Sequence, residues 1–352
     1  MGLIVPNFYC VNLRQCKMAV AMITFHLSAG TRRWASRLVP LLFYALLLVF
    51  LGLYLRSVDF SKLVHLHFSW WYLLLASLLA LLKNYLGAIT WFVILRSLGA
   101  TDLQLHKQLI YVYAKAWMGR YIPGTAPWIL GKIYFASQHG ISKQKLAVSS
   151  LLEGGLQIVT MLVFSLALLI TDRRLDVLGN DFKLLMVGVA VAGIVILSPR
   201  IFNRLVGTAY KLLRRKELAD EHLASNSTII RGASMYLVDA AINGLSLFFI
   251  AKGVDPALSY SNIIFAMGAA SLAGAASMLA IFAPSGLGVR EGIQLVLFSL
   301  IMPKELALAV TIITRLWSVG IDVAFFGLSR LAAGKPVSAA PNLQHRPQPL
   351  EQ

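Results

Sequence analysis

The chain has 352 residues, 58% of them hydrophobic and 13% charged, whereas a soluble domain carries roughly 25% charged residues to cover its surface. Lysine and arginine total 32 against 15 acids, a net charge of +17. This composition excludes a water-soluble enzyme. Because the basic residues cluster in loops between long apolar runs, the positive excess signals membrane orientation and contact with anionic lipid rather than nucleic-acid binding.

Residues 1–37 carry five basic residues and no acid, and read as a basic cytoplasmic extension without a small-residue cleavage site. Both cysteines, Cys10 and Cys16, lie there, so no disulfide framework or cysteine-rich metal site is expected. A crossing of the ~30 Å hydrocarbon layer takes about 20 apolar residues, and Leu38–Leu55 is predicted as the first. Trp70–Leu95 is the second, opened by the interfacial aromatics Trp70, Trp71 and Tyr72. Leu105–Phe135 is apolar but interrupted by Pro123, Gly124 and Pro127, which rules out one straight helix. Lys145–Ile170 then spans cleanly.

In the second half, Leu184–Leu197 is a short span that needs extension through Phe182 or local thinning of the bilayer. Ile201–Lys216 alternates apolar and basic residues as a helix lying on an anionic surface does. Ile229–Ala251 spans next. Ile263–Ile301 is a second interrupted segment, broken at Pro284, Gly286 and Gly288, and Leu306–Leu331 closes the membrane region. Residues 332–352, with four prolines, read as a disordered tail.

If each interrupted segment enters and leaves on one side, six full spans remain. Loops on the side of the termini then hold 19 basic residues against 7 on the other, which places both termini in the cytoplasm and the chain in an inner, cytoplasmic-type membrane. In this topology residues 38–170 and 184–331 each read span, span, broken segment, span, in opposite orientations. Leu146 lies 23 residues after Pro123 and Leu306 lies 22 after Pro284, each followed by alanine. The expected fold is an all-α, polytopic membrane helix bundle built as an inverted repeat with re-entrant helix pairs.

Ten ionisable residues fall inside membrane segments: Lys83, Lys115, Arg120, Lys132, Arg290 and Arg315, with Glu153, Asp239, Glu291 and Asp322. Each costs a few kcal/mol at the bilayer centre unless it faces a cavity or a partner. The positive excess favours an anionic guest. Arg120 precedes Pro123-Gly124 and Arg290-Glu291 follow Gly286 and Gly288, where a broken helix leaves N–H groups free to receive phosphate or carboxylate. Lys83, Lys115 and Lys132 could instead snorkel to an interface. Structural ion pairs Arg120 with Glu153 and Arg290 with Glu291 are the bland alternative. Arg315, Ser318 and Asp322 share one helical face, as do Asp239 and Asn243, and the two aspartates are candidates for proton coupling.

The breaks, Gly119-Arg120-Tyr121-Ile122-Pro123-Gly124 and Ala283-Pro284-Ser285-Gly286-Leu287-Gly288-Val289-Arg290-Glu291-Gly292, resemble the transmembrane region of lysylphosphatidylglycerol synthases and its stand-alone, flippase-like relatives. Glu153 matches the glutamate after the first break and Arg315 the arginine of the last helix. Thr125-Ala126-Pro127, Gly154 and Ser285 depart from that pattern, which commonly has glycines at the first and third sites and an arginine at the second. The resemblance implies movement or presentation of an anionic lipid between leaflets. Its head-group site would comprise Arg120, Pro123, Gly124, Glu153, Gly286, Gly288, Arg290, Glu291 and Arg315. Anionic membrane lipids are the expected partners.

The aminoacyl-transferase domain of full synthases has no counterpart in these residues, and no nucleotide-binding Gly-x-x-x-x-Gly-Lys-[Ser/Thr] loop occurs. Neither cofactor, metal nor catalytic residue is expected. A membrane-embedded enzyme acting on a lipid-linked sugar, with Glu153 or Glu291 as general base, and an accessory subunit of a glycosyltransferase or lipid-modifying enzyme are the competing readings.

Overall fold

A computed structural model describes residues 68–100, 106–121, 126–214, 223–280 and 286–334. The predicted span Leu38–Leu55, the N-terminal extension, residues 335–352 of the tail, and Pro123 and Gly124 lie outside these residues. The described part is all helical, with ten α-helices and connecting 3-10 turns.

Helix α1 (Trp70–Ser97) is a 28-residue span whose Trp70 and Trp71 remain exposed at its start. The first broken segment forms α2 (His106–Trp117), a 3-10 turn over Met118–Tyr121, and α3 (Ala126–Ser137). Helix α4 (Lys143–Leu169) begins at Ser142, whose side chain accepts the Lys145 N–H at 3.2 Å. Helix α5 (Gly179–Ile196) is longer than predicted because Gly179–Lys183 join its first turn, giving 18 residues, within the range that crosses a bilayer. Helix α6 (Pro199–Arg214) buries Phe202, Val206 and Tyr210 and exposes Arg200, Arg204 and Lys211, the two-faced pattern expected of an interfacial helix.

Helix α7 (Asn226–Val254) is capped by Ser225. The second broken segment forms α8 (Ile263–Leu279) and α9 (Val289–Phe298), and α10 (Lys304–Ala333) ends the bundle. Among the described residues, six stretches are long and apolar enough to cross a membrane. Five match predicted spans. The sixth departs from the expected topology: α8 with its preceding 3-10 turn, Tyr260–Leu279, is itself 20 residues long. Its run of alanine, glycine and serine lets α8 pack closely on α4 and α7. At Gly244 of α7 a Cβ would stand 2.6 Å from Met267 Cα, and at Gly268 of α8 one would stand 2.8 Å from Leu169 Cγ.

The packing repeats. Helix α2 lies on α3, α3 on α4, and α1 on both α2 and α4; likewise α8 lies on α9, α9 on α10, and α7 on both α8 and α10. Across the halves, α2 packs on α10 as α8 packs on α4, and α1 packs on α10 as α7 packs on α4. The most extensive contact joins α1 to α7. Exchanging α1–α4 with α7–α10 therefore leaves this contact pattern unchanged, as two similar half-bundles meeting along α1 and α7 would produce. Helices α5 and α6 stand outside it, against α4.

Candidate functional site

The first break is tied to the last helix through Asp322. Its Oδ1 accepts from Asn84 Nδ2 at 3.1 Å and from Trp117 Nε1 at 3.2 Å, and its Oδ2 accepts from the Tyr121 hydroxyl at 2.6 Å. Arg120 Nη1 lies 3.4 Å from the same Oδ2. With only 4% of its side chain exposed, the carboxylate depends on these partners to offset its lost hydration. Arg120 also lies over the Trp117 and Tyr121 rings, at 4.8 and 5.3 Å, and its Nε is buried without a hydrogen-bond partner.

The second break turns on two glycines. Gly286 has φ +65° and Gly288 φ +88°, left-handed conformations that side chains disfavour, and a Cβ on Gly286 would also lie 3.0 Å from the Ser277 Cα. Glu291 reaches back so that its Oε2 accepts the Gly288 N–H at 2.7 Å, while its Oε1 lies 3.4 Å from Arg315 Nη1. Gly288 has no side chain with which to cap α9, which leaves the first-turn N–H groups beside Arg290 without that partner.

A third charged group is closed. Lys132 of α3 and Glu153 of α4 form an ion pair with both side chains 1% exposed, the Tyr113 hydroxyl donates to Glu153 Oε1 at 3.1 Å, and the Lys132 ammonium lies 4.2 Å from the Trp128 ring centre. The halves correspond here too: each joins its short second half-helix to the following span by one ion pair, Lys132 with Glu153 and Glu291 with Arg315, with the signs reversed. Arg120 does not pair with Glu153, nor Arg290 with Glu291, as the bland reading of the sequence had it. Lys132 does not snorkel either, because Glu153 holds it inside. Lys115 is exposed, with its ammonium 4.0 Å from the Phe135 ring centre.

Between these groups lies a cavity of about 500 Å³. Lys83, Arg120 and Arg290 line one part of it, with Asn243 and Ser277 nearby, and Trp117 and Trp128 form an aromatic wall. The remainder is largely apolar and runs along α4 to α6, at Phe202, Leu205, Val206 and Ala209. Among the described residues, no carboxylate lines it. A smaller cavity of about 60 Å³ shares Lys83, Arg120, Asn243 and Arg290, and adds Asn84, Thr314, Ser318 and Asp322.

Of the residues expected at a head-group site, Arg120, Gly286 and Arg290 line the main cavity. Glu153, Gly288, Glu291 and Arg315 do not line it, and Pro123 and Gly124 are outside the described residues. Asp322 faces the small cavity; Asp239, 1% exposed, lines neither. Sequence reasoning underrated Lys83, which joins both cavities. Its position near the middle of the 28-residue helix α1 was the available signal, since a lysine there is about 20 Å of helix from either end and cannot reach an interface. It missed Trp117, Trp128 and the bare face at Gly154, where an added Cβ would meet no atom within 4 Å.

A polytopic bundle of long apolar helices around a largely apolar cavity with three lining cations defines an integral membrane protein. The chain belongs to the family described as the lysylphosphatidylglycerol synthase TM region, whose model matches residues 37–325. It is therefore a multi-pass membrane protein of a family concerned with lipids. Comparison with curated proteins and with solved structures returns no match.

Proposed function

We propose that the protein binds an anionic, phosphate-bearing lipid and carries its head group between leaflets. The observation behind this is the cavity in which Lys83, Arg120 and Arg290, from three separate elements, converge at one end of a largely apolar chamber with no lining carboxylate among the described residues. Arginine offers forked donors suited to phosphate oxygens, the first turn of α9 adds backbone donors beside Arg290, and the wall toward α6 suits the tail. Glu153 and Glu291, the two candidate bases, are each committed to an ion pair, which favours binding and movement over catalysis.

The half-bundles are read as oppositely oriented copies that rock about the α1–α7 contact and expose the cationic end to each leaflet in turn. The basic face of α6 lies on the anionic cytoplasmic leaflet of an inner-type membrane, with both termini on that side. The test is transbilayer movement of head-group-labelled phospholipid in vesicles containing the purified chain, with native mass spectrometry to identify lipid that copurifies. Arg290→Ala removes a charge-assisted contact, and movement is expected to fall by about tenfold or more. Unchanged movement in both Arg290→Ala and Arg120→Ala would overturn the proposal.

A further inference from the structure

We infer that Asp239 is a proton-accepting site linked to the anion site: when a phosphate engages Lys83, Asp239 takes up one proton. The inference rests on the reading of the cationic cavity as a phosphate site and adds the ion that accompanies the lipid. Asp239 sits on α7 against α1, at the contact about which the two halves correspond. It is 1% exposed, and its Oδ2 is buried without a hydrogen-bond partner. Ser246 of α7 bonds the Ala76 carbonyl of α1 and Gly253 packs on Leu73, an antiparallel register that brings Asp239 level with Lys83, whose ammonium is the counter-charge acting on it; no ion pair within 4 Å joins them among the described residues. Lys83 also faces the cavity, with Trp117 5.4 Å away.

One ammonium therefore serves two anions. A phosphate in the cavity draws Lys83 toward itself, and a buried carboxylate without its counter-charge is too costly to remain ionised. The Asp239 carboxylate becomes the neutral acid by taking a proton from solvent, Lys83 stays charged, and the phosphate gains the ion pair. For a singly charged phosphodiester the site gains one negative charge and one proton, so its net charge is unchanged. Asn243, one turn along α7 on the same face, lines both cavities.

The surroundings leave this role to Asp239. From α4 the acid facing it is Glu153, already paired with Lys132. From α10 the nearest acid is Asp322, held by three hydrogen bonds and Arg120, so its charge is satisfied whether or not Lys83 moves. Helix α8 carries no ionisable residue, and Tyr236 of α7 and Tyr113 of α2 are the phenols close by.

The experiment measures binding of phosphatidylglycerol, whose single phosphodiester charge does not change near neutral pH, to the full chain in phosphatidylcholine nanodiscs. Affinity is expected to rise as pH falls, approaching about tenfold per pH unit over part of the range, the limit for one linked proton. One proton per lipid should leave a weakly buffered solution on binding. Asp239→Asn should still bind and lose both effects; the proton count in the unaltered chain needs no variant to fold. A pH-independent affinity without proton uptake, or an unchanged slope in Asp239→Asn, overturns the linkage while leaving the anion site standing. Absence of binding by every phosphate-bearing lipid removes the anion site, and the linkage with it.

Discussion

Replacing Lys132 by methionine tests which buried charges belong to the bundle and which to the guest. Lys132 and Glu153 are each 1% exposed and paired, and the carboxylate has one further donor, the Tyr113 hydroxyl at 3.1 Å. Lys132→Met leaves that carboxylate with a single neutral hydrogen bond of about 1 kcal/mol, so the loss should approach the roughly 3–5 kcal/mol typical of breaking a buried pair. Removing both charges, in Lys132→Met with Glu153→Leu, should cost far less, because an apolar pair of similar volume replaces an ion pair whose desolvation nearly offset its attraction. Thermal unfolding in detergent, followed by tryptophan fluorescence, completes the cycle with Glu153→Leu alone. Trp128, beside the ammonium, reports locally. A double variant as unstable as Lys132→Met would refute the energetic argument, and a stable double variant that fails to bind lipid would put Glu153 back at the head-group site.

Four other outcomes follow from the same geometry. Gly286→Ala should lower the melting temperature through a left-handed φ that costs about 1–3 kcal/mol and a close approach to Ser277, whereas Gly292→Ala, with open space at its Cβ, should leave it nearly unchanged. Asp322→Ala removes the acceptor shared by Asn84, Trp117 and Tyr121, and hydrogen exchange should show faster opening of Met118–Tyr121 than of α7. Gly154→Arg points into space lining the cavity and should tighten binding of an anionic lipid by adding a cation, measured with the same nanodiscs. His139, in the turn between α3 and α4, is held below its ordinary value of 6.5 by partial burial; the unfolded chain therefore takes its proton first, and the stability it contributes is present above that value and declines as pH falls through it. His139→Gln should remove that component from the melting temperature measured against pH.

The spans were readable because lipid sets a length and a hydropathy that almost nothing else in a sequence imitates. Trp70–Leu95 and Ile229–Ala251 therefore needed only small extensions at their ends, supplied by caps such as Ser225. The interruption at Gly286 and Gly288 was readable for a different reason, since the left-handed turn admits few other residues. The length of helix α8 was less readable because it depends on what the helix packs against. Glycine and alanine are indifferent helix markers in isolation, and only the close approach of α4 and α7 makes them a contact surface.

The pairing of charges was a harder problem, and its failure follows from how membrane charge is neutralised. Sequence shows that Arg120, Lys132, Glu153 and Asp322 are each costly, but the cost is the same for every partner that could relieve it. Sequence left Arg120 with Glu153 open as a structural pair. The fold instead pairs Arg120 with Asp322, beside a hydrogen bond from Tyr121 across 201 positions, and Lys132 claims Glu153 across the turn between α3 and α4. Once those two pairs and Glu291 with Arg315 are closed, Lys83 and Arg290 are the cavity cations left without a counter-ion in contact among the described residues. The cationic character of the cavity is thus a remainder, defined by which charges the bundle has already used, and that remainder exists only once the helices are assembled.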